Sequence, residues 1–150
     1  MSDTPTAAPS LPDLSHEIEL SAAFHDLDPM NIVWHGNYVK YLEIARCALF
    51  AKFGYDYPQM VESGYAWPII DVRMKYIAPV EYGKPIRIKA TVVEWENRVK
   101  LDYIIRCAAT GKRLHKASTI QVAVDVATQS MCWECPPILW EKLGLKEFMQ

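Results

Sequence analysis

Two acids and two histidines crowd residues 25–35, which read His-Asp-Leu-Asp-Pro-Met-Asn-Ile-Val-Trp-His. Asp28 and His35 stand seven residues apart, immediately ahead of a run with helical periodicity. A carboxylate held there can serve as a nucleophile or a general base, and an imidazole can orient a group or move a proton. The first N–H groups of a helix have no partner within it. Together with the positive end of the helix dipole they can hold developing negative charge without a metal. The same residues admit plainer roles: Asp28 before Pro29 suits a turn or a cap, and His35 a simple helix-start residue.

The run that must position them follows at once. Tyr38, Tyr41, Leu42, Ala45, Ala48, Leu49 and Phe53 recur close to the i, i+3, i+4, i+7 spacing of an amphipathic helix. The opposite side is not polar either, because Val39, Ile44, Cys47, Phe50 and Ala51 occupy it. Lys40, Glu43, Arg46 and Lys52 are its only charges, with Lys40–Glu43 and Glu43–Arg46 at i, i+3. A helix apolar nearly all round belongs inside a protein or against a large partner surface. It is too short an apolar run to span a membrane, and Gly54 supplies a stop.

The rest of the chain supplies the wrapping. Its 150 residues are 51% hydrophobic, enough for one domain with a moderate core. Residues 1–14, rich in Pro and small polar residues, are expected to form a disordered tail without the features of a signal peptide. A single domain then covers 15–150. Ile18, Leu20, Ala22 and Phe24 alternate as a half-buried strand over 16–24. A short helical piece over 58–63 is followed by long alternating strands: Ile70, Val72, Met74 and Tyr76; then Ile86, Ile88, Ala90 and Val92; then Val99, Leu101, Tyr103 and Ile105; and a last one within 117–126. Pro136 and Pro137 open a C-terminal helix. One strand, a long helix, then a run of strands indicates α+β. The simplest solution is an antiparallel sheet of about five strands curled around the helix. Arg73, Lys75, Arg87 and Lys89 then lie on its outer face, solvated or against a second subunit.

With these elements in place, the segment Asp28-Pro29-x-x-Ile32-Val33-Trp34-His35-x-Asn37-Tyr38, followed by Tyr41-x-Glu43-x-Ala45-Arg46, resembles the active-site loop and helix of the hotdog-fold acyl-CoA thioesterases, in particular the 4-hydroxybenzoyl-CoA thioesterase-like branch. The resemblance continues through Met74-Lys75-Tyr76-x-Ala78-Pro79. It implies a sheet wrapped around a central helix and a homodimer or homotetramer with active sites at the subunit interface. It also implies hydrolysis of an acyl-CoA to free acid and thiol. Asp28 then takes the place of the nucleophile or general base. The backbone N–H groups of His35 and Gly36 polarise the carbonyl, and the His35 side chain orients or handles a proton. Asn37 and Tyr38 are expected to cap the helix and pack against the loop. Glu43 is expected as an intrahelical ion-pair residue and the reserve catalytic acid. Asn31 stands where many relatives have Gly, and Asn tolerates a left-handed backbone next best.

Other constellations count for less. His25, Asp28 and His35 match no zinc spacing, so no metal or cofactor is expected. The Cys132-x-x-Cys135 pair lacks the second pair of a zinc ribbon, and Pro136-Pro137 argues for an irregular end. Four cysteines without signs of secretion suit reduced thiols in a cytoplasmic protein. The net charge of −2, with no basic runs, argues against nucleic acid. Lys75, Arg98, Lys100 and Arg106 could meet the coenzyme phosphates, and Tyr55, Tyr57, Tyr65 and Trp67 could pack the core or line an acyl pocket. An acyl-carrier-protein thioester as substrate, or a non-catalytic acyl-binding protein, remains open on the same fold.

Overall fold

The computed structural model describes residues 10–149. Strand β1 (Ser15–Leu20) leads through a polar loop and a 3-10 turn (His35–Asn37) into helix α1 (Tyr38–Lys52). Helix α2 (Tyr57–Ser63) and the short β2 (Tyr65–Ala66) follow. Then come β3 (Ile69–Tyr76), β4 (Ile86–Glu94), β5 (Val99–Cys107) and β6 (Arg113–Gln121). The chain ends with β7 (Val124–Asp125), β8 (Ser130–Met131) and helix α3 (Pro137–Leu143).

The large sheet has five strands in the order β1-β4-β5-β6-β3, and all its pairings are antiparallel. The alternation read from the sequence sets its faces. Ile86, Ile88, Ala90, Val92, Val99, Leu101, Tyr103 and Ile105 are all buried, while Arg87 and Lys89 point outward. Helix α1 lies across β1 and β4 and buries Tyr38, Tyr41, Leu42, Ala45, Leu49 and Phe50. Full burial of a side chain like Leu42 or Leu49 stabilises by about 2 kcal/mol before chain entropy is counted.

The sheet buries helix α1 on one face, and Glu43, Ile44, Cys47 and Ala51 lie on the other, open face, because one curved sheet can cover only one side. Two expectations need correction. The first strand ends at Leu20, and Phe24 enters a 3-10 turn with its ring exposed rather than facing the core. The apolar alternation of β3 is only partly buried, since this strand is a sheet edge and its register with β6 shifts between Ile69 and Asp71. A separate three-stranded sheet, β2-β7-β8, had no periodic signal because its strands are two residues long. Of the expected tail, residues 1–9 lie outside the described residues. Leu14, by contrast, is buried, and its carbonyl accepts the Val92 N–H at 2.9 Å.

Candidate active site

The loop ahead of α1 folds on itself before it meets the helix. Asp28 N–H donates to the Ile32 carbonyl (2.8 Å), and Asn31 N–H donates to the Asp28 carbonyl (3.0 Å). Asn31 takes the left-handed backbone this turn requires, with φ at 62°. The Asp28 Oδ1 accepts from Met30 N–H at 2.8 Å and, at the limit of bonding, from Ile32 N–H at 3.5 Å. Its Oδ2 has no protein donor among the described residues, so one carboxylate oxygen is anchored and the other free. Val33 N–H then docks the loop on the Val80 carbonyl at 2.9 Å.

Asp28, Ile32, Val33, His35, Tyr38, Tyr76 and residues 77–79 line one cavity of about 330 Å³ at the start of α1. The N–H groups of His35 and Gly36 have no protein acceptor among the described residues. No side chain caps the helix, and its first turn carries no acid to offset the positive end of the dipole. The Trp34 ring packs over Gly36, where an added Cβ would lie 2.3 Å from it, so a larger residue there would have to displace that half-exposed ring. Asp28 and His35 thus share one pocket, with the two unengaged donors at the helix start beside it. That set can direct attack on a carbonyl and hold the resulting oxyanion.

The supporting residues differ from expectation in detail. Asn37 does not cap the helix with its side chain; its amide donates to the Asp26 carbonyl at 2.9 Å and ties the loop to the helix start. Tyr38 lines the pocket with Asp28, Ile32 and Val33 of the loop, and its Oη accepts the Val80 N–H at 3.3 Å. Glu43 pairs with Arg46 at 2.7 Å and lines a different, larger cavity of about 910 Å³ on the open face of α1, so within one subunit it does not share the Asp28 pocket. Cys47, Tyr57, Tyr65 and Trp67 line that second cavity, whereas Tyr55 is fully buried in the core.

Of the basic candidates, Arg98 is engaged by Glu94 at 2.6 Å and Arg106 donates to the Gly111 carbonyl at 3.1 Å. Lys75 and Lys100 form no salt bridge among the described residues. His25 is exposed, and no group of three His, Cys, Asp or Glu side chains among the described residues is placed to hold a metal ion.

The model of the Thioesterase-like superfamily matches residues 22–146. The chain belongs to that family. YneP of Bacillus subtilis, whose name describes a candidate acyl-CoA thioesterase, is 28% identical over 108 residues, covering 71% of this chain and 78% of that protein. A DHNA-CoA thioesterase structure from Staphylococcus aureus superposes with a TM-score of 0.73 at 24% identity, over 79% of this chain and 80% of that one. A mutant 4-hydroxybenzoyl CoA thioesterase, complexed with 4-hydroxybenzoyl CoA, superposes with a TM-score of 0.76 at 22% identity, over 87% of this chain and 99% of that one. At these identities the structural matches establish the fold, which is the hotdog fold.

Within this thioesterase-family protein, three residues near the site had escaped the sequence. Asp26 is buried and accepts from the Tyr41 hydroxyl (2.7 Å), the Lys40 ammonium and the Ala23 N–H. Burial pushes its carboxyl up, but the hydrogen bonds from Lys40 and Tyr41 outweigh it and hold the acid below its ordinary value. Tyr76 and His115 are 39 positions apart and meet only because β3 and β6 pair in that register. An odd polar residue at an inward-facing strand position was the one signal for His115.

Proposed function

We propose that this protein hydrolyses acyl-CoA thioesters to free acid and coenzyme A thiol, with Asp28 as nucleophile or general base. The observation that carries this reading is the shared pocket of Asp28 and His35 at the start of α1, beside which the His35 and Gly36 N–H groups have no acceptor among the described residues. By the general-base route, Asp28 takes a proton from water as the water oxygen bonds to the thioester carbon. The oxyanion so formed is held by the two N–H groups. It collapses with loss of the thiolate, which takes up the proton. By the covalent route, an Asp28 oxygen bonds to the thioester carbon and expels the thiolate, and water then cleaves the resulting mixed anhydride to the free acid and the Asp28 carboxylate, its released proton going to the thiolate. Rapid-quench single turnover with an acyl-labelled ester separates the two, since only the covalent route passes through protein-bound acyl label. Thiol release from aliphatic and aromatic acyl-CoA esters, beside the matching acyl-carrier-protein thioesters, tests the reading and the choice of carrier. Tight binding without release from either carrier would favour a non-catalytic acyl-binding protein.

The functional unit proposed is a homodimer formed through β3. That strand is an unpaired sheet edge, with Ile70 58%, Val72 40% and Tyr76 45% exposed, and such an edge invites pairing. Antiparallel pairing of two copies sets the Tyr76 end of one β3 against the Ile69 end of the other. The Asp28 cavity adjoins the first end. The 910 Å³ cavity, with Trp67 and Pro68 in its wall, adjoins the second. The acyl group would then run from one subunit's Asp28 toward the other subunit's larger cavity. The double variant Ile70→Lys, Val72→Lys is expected to sediment as a monomer and to lose turnover. A dimer of unchanged stability would place the interface elsewhere.

A further inference from the structure

We infer that Tyr76 and His115 are positioning residues that hold the oxyanion-binding turn in register with the pocket. This inference rests on the hydrolase reading for its kinetic part and on geometry alone for the rest. The Tyr76 hydroxyl donates to the His35 carbonyl at 2.6 Å, with the Met74 sulfur a distant second acceptor at 3.7 Å. The His35 carbonyl belongs to the peptide unit whose N–H is that of Gly36. A peptide unit is planar, so fixing its oxygen fixes the direction of its N–H. A strand residue thus sets the aim of a donor that the helix start itself leaves uncapped.

Tyr76 in turn needs something to hold its ring. It lies on the exposed edge strand, where a side chain would ordinarily be free to change rotamer. Instead its ring meets Tyr38 edge-on at 4.8 Å and His115 edge-on at 4.8 Å. His115 also lies nearly flat against Tyr38, at 4.6 Å and 30°. Three rings from β3, α1 and β6 thus form one cluster beneath the pocket. His115 is 0% exposed, and neither of its nitrogens has a protein partner. A fully buried ring with no hydrogen bond of its own acts by shape, as a wedge that keeps the Tyr76 hydroxyl on the His35 carbonyl. Neither residue touches the reacting atoms in this account; both act through the His35–Gly36 peptide.

Two readouts test this. In steady-state kinetics, Tyr76→Phe keeps the ring and loses only the hydroxyl. It should lower kcat about tenfold, a fraction of what outright loss of an oxyanion donor costs, with KM within about twofold. His115→Ala should show the same split, His115→Phe should restore most of the turnover, and Tyr76→Phe with His115→Ala should be little worse than either alone. Amide hydrogen exchange supplies an arm that needs no turnover. Asn37 N–H, which closes this turn onto the Trp34 carbonyl at 2.9 Å, should exchange faster in Tyr76→Phe and His115→Ala. Val99, in the core sheet, should be unchanged in Tyr76→Phe. Unchanged Asn37 exchange in Tyr76→Phe, additive kinetic losses, or a rise in KM at constant kcat would overturn the inference. If wild type releases no thiol from any ester, the hydrolase reading fails, and the exchange arm still decides the positioning role.

Discussion

Asp28→Asn should lower thiol release by about three orders of magnitude while the protein stays folded. The substitution is nearly isosteric, and the anchored Oδ1 can still accept from Met30 N–H at 2.8 Å. The turn through Asn31, whose bonds run between main-chain groups, is therefore retained. What disappears is the negative charge on the oxygen with no protein donor, the one able to attack or to take a proton from water. Binding depends on the cavity walls and should change little, so the loss falls on kcat. Circular dichroism and a thermal midpoint matching wild type are the control for folding. Equal rates in the two proteins would remove Asp28 from the reaction. Glu43 would then be next to test, acting from the open face of α1 across the proposed dimer, since within its own subunit it lies in the other cavity.

The second large effect concerns stability. Asp26→Ala should destabilise the protein by roughly 3 kcal/mol, about 8 °C in thermal midpoint for a chain of this size. The carboxylate is 4% exposed and gathers the Lys40 ammonium, the Tyr41 hydroxyl and the Ala23 N–H. Removing it leaves a buried tyrosine hydroxyl without its acceptor, while half-exposed Lys40 can turn to water and recover part of the loss. The Asp26 carbonyl accepts from Trp34 N–H and the Asn37 side chain, so disorder there should reach the turn at the start of α1 as well. A midpoint within about 2 °C of wild type would show that this network contributes little.

The same residue makes a pH prediction whose sign can be worked out. The folded-state pKa of Asp26 lies below its ordinary 3.8, so its contribution is fully present above that value and is lost as pH falls through the folded one. His115 acts earlier on the acid side. Burial lowers its pKa from 6.5 to about 4, so between those values the unfolded chain binds a proton that the folded chain does not. Its ring neighbours, Tyr38 and Tyr76, have pKa values raised by burial and do not titrate there. Stability should fall from pH 6.5 to 4 in wild type, and His115→Phe should flatten that window while leaving the loss below 3.8. Urea midpoints at about pH 7, 5 and 3.5 measure both.

The sequence by itself determined the local elements, because their signals are periodic. The 3.6-residue spacing from Tyr38 to Phe53 marked α1, and strict alternation marked β4 and β5 with their buried faces. The loop from Asp28 to Tyr38 was legible because carboxylate, Pro, imidazole and helix start follow one another within a few residues, and the structure puts Asp28, His35 and Tyr38 around one pocket. Tertiary structure decided what depends on distant pairings. The β3–β6 register placed His115 under Tyr76, and nothing near either residue in the chain specifies that meeting. Burial of Asp26 was equally hidden: an acid in a loop is ordinarily solvated, and it is chiefly Lys40 and Tyr41, a turn into the helix, that make its burial tolerable. The open face of α1 and the free edge of β3 follow from how much one curved sheet can cover. Periodicity tells a residue which way to face along its own element. What it faces is set by elements that can be far away in the chain.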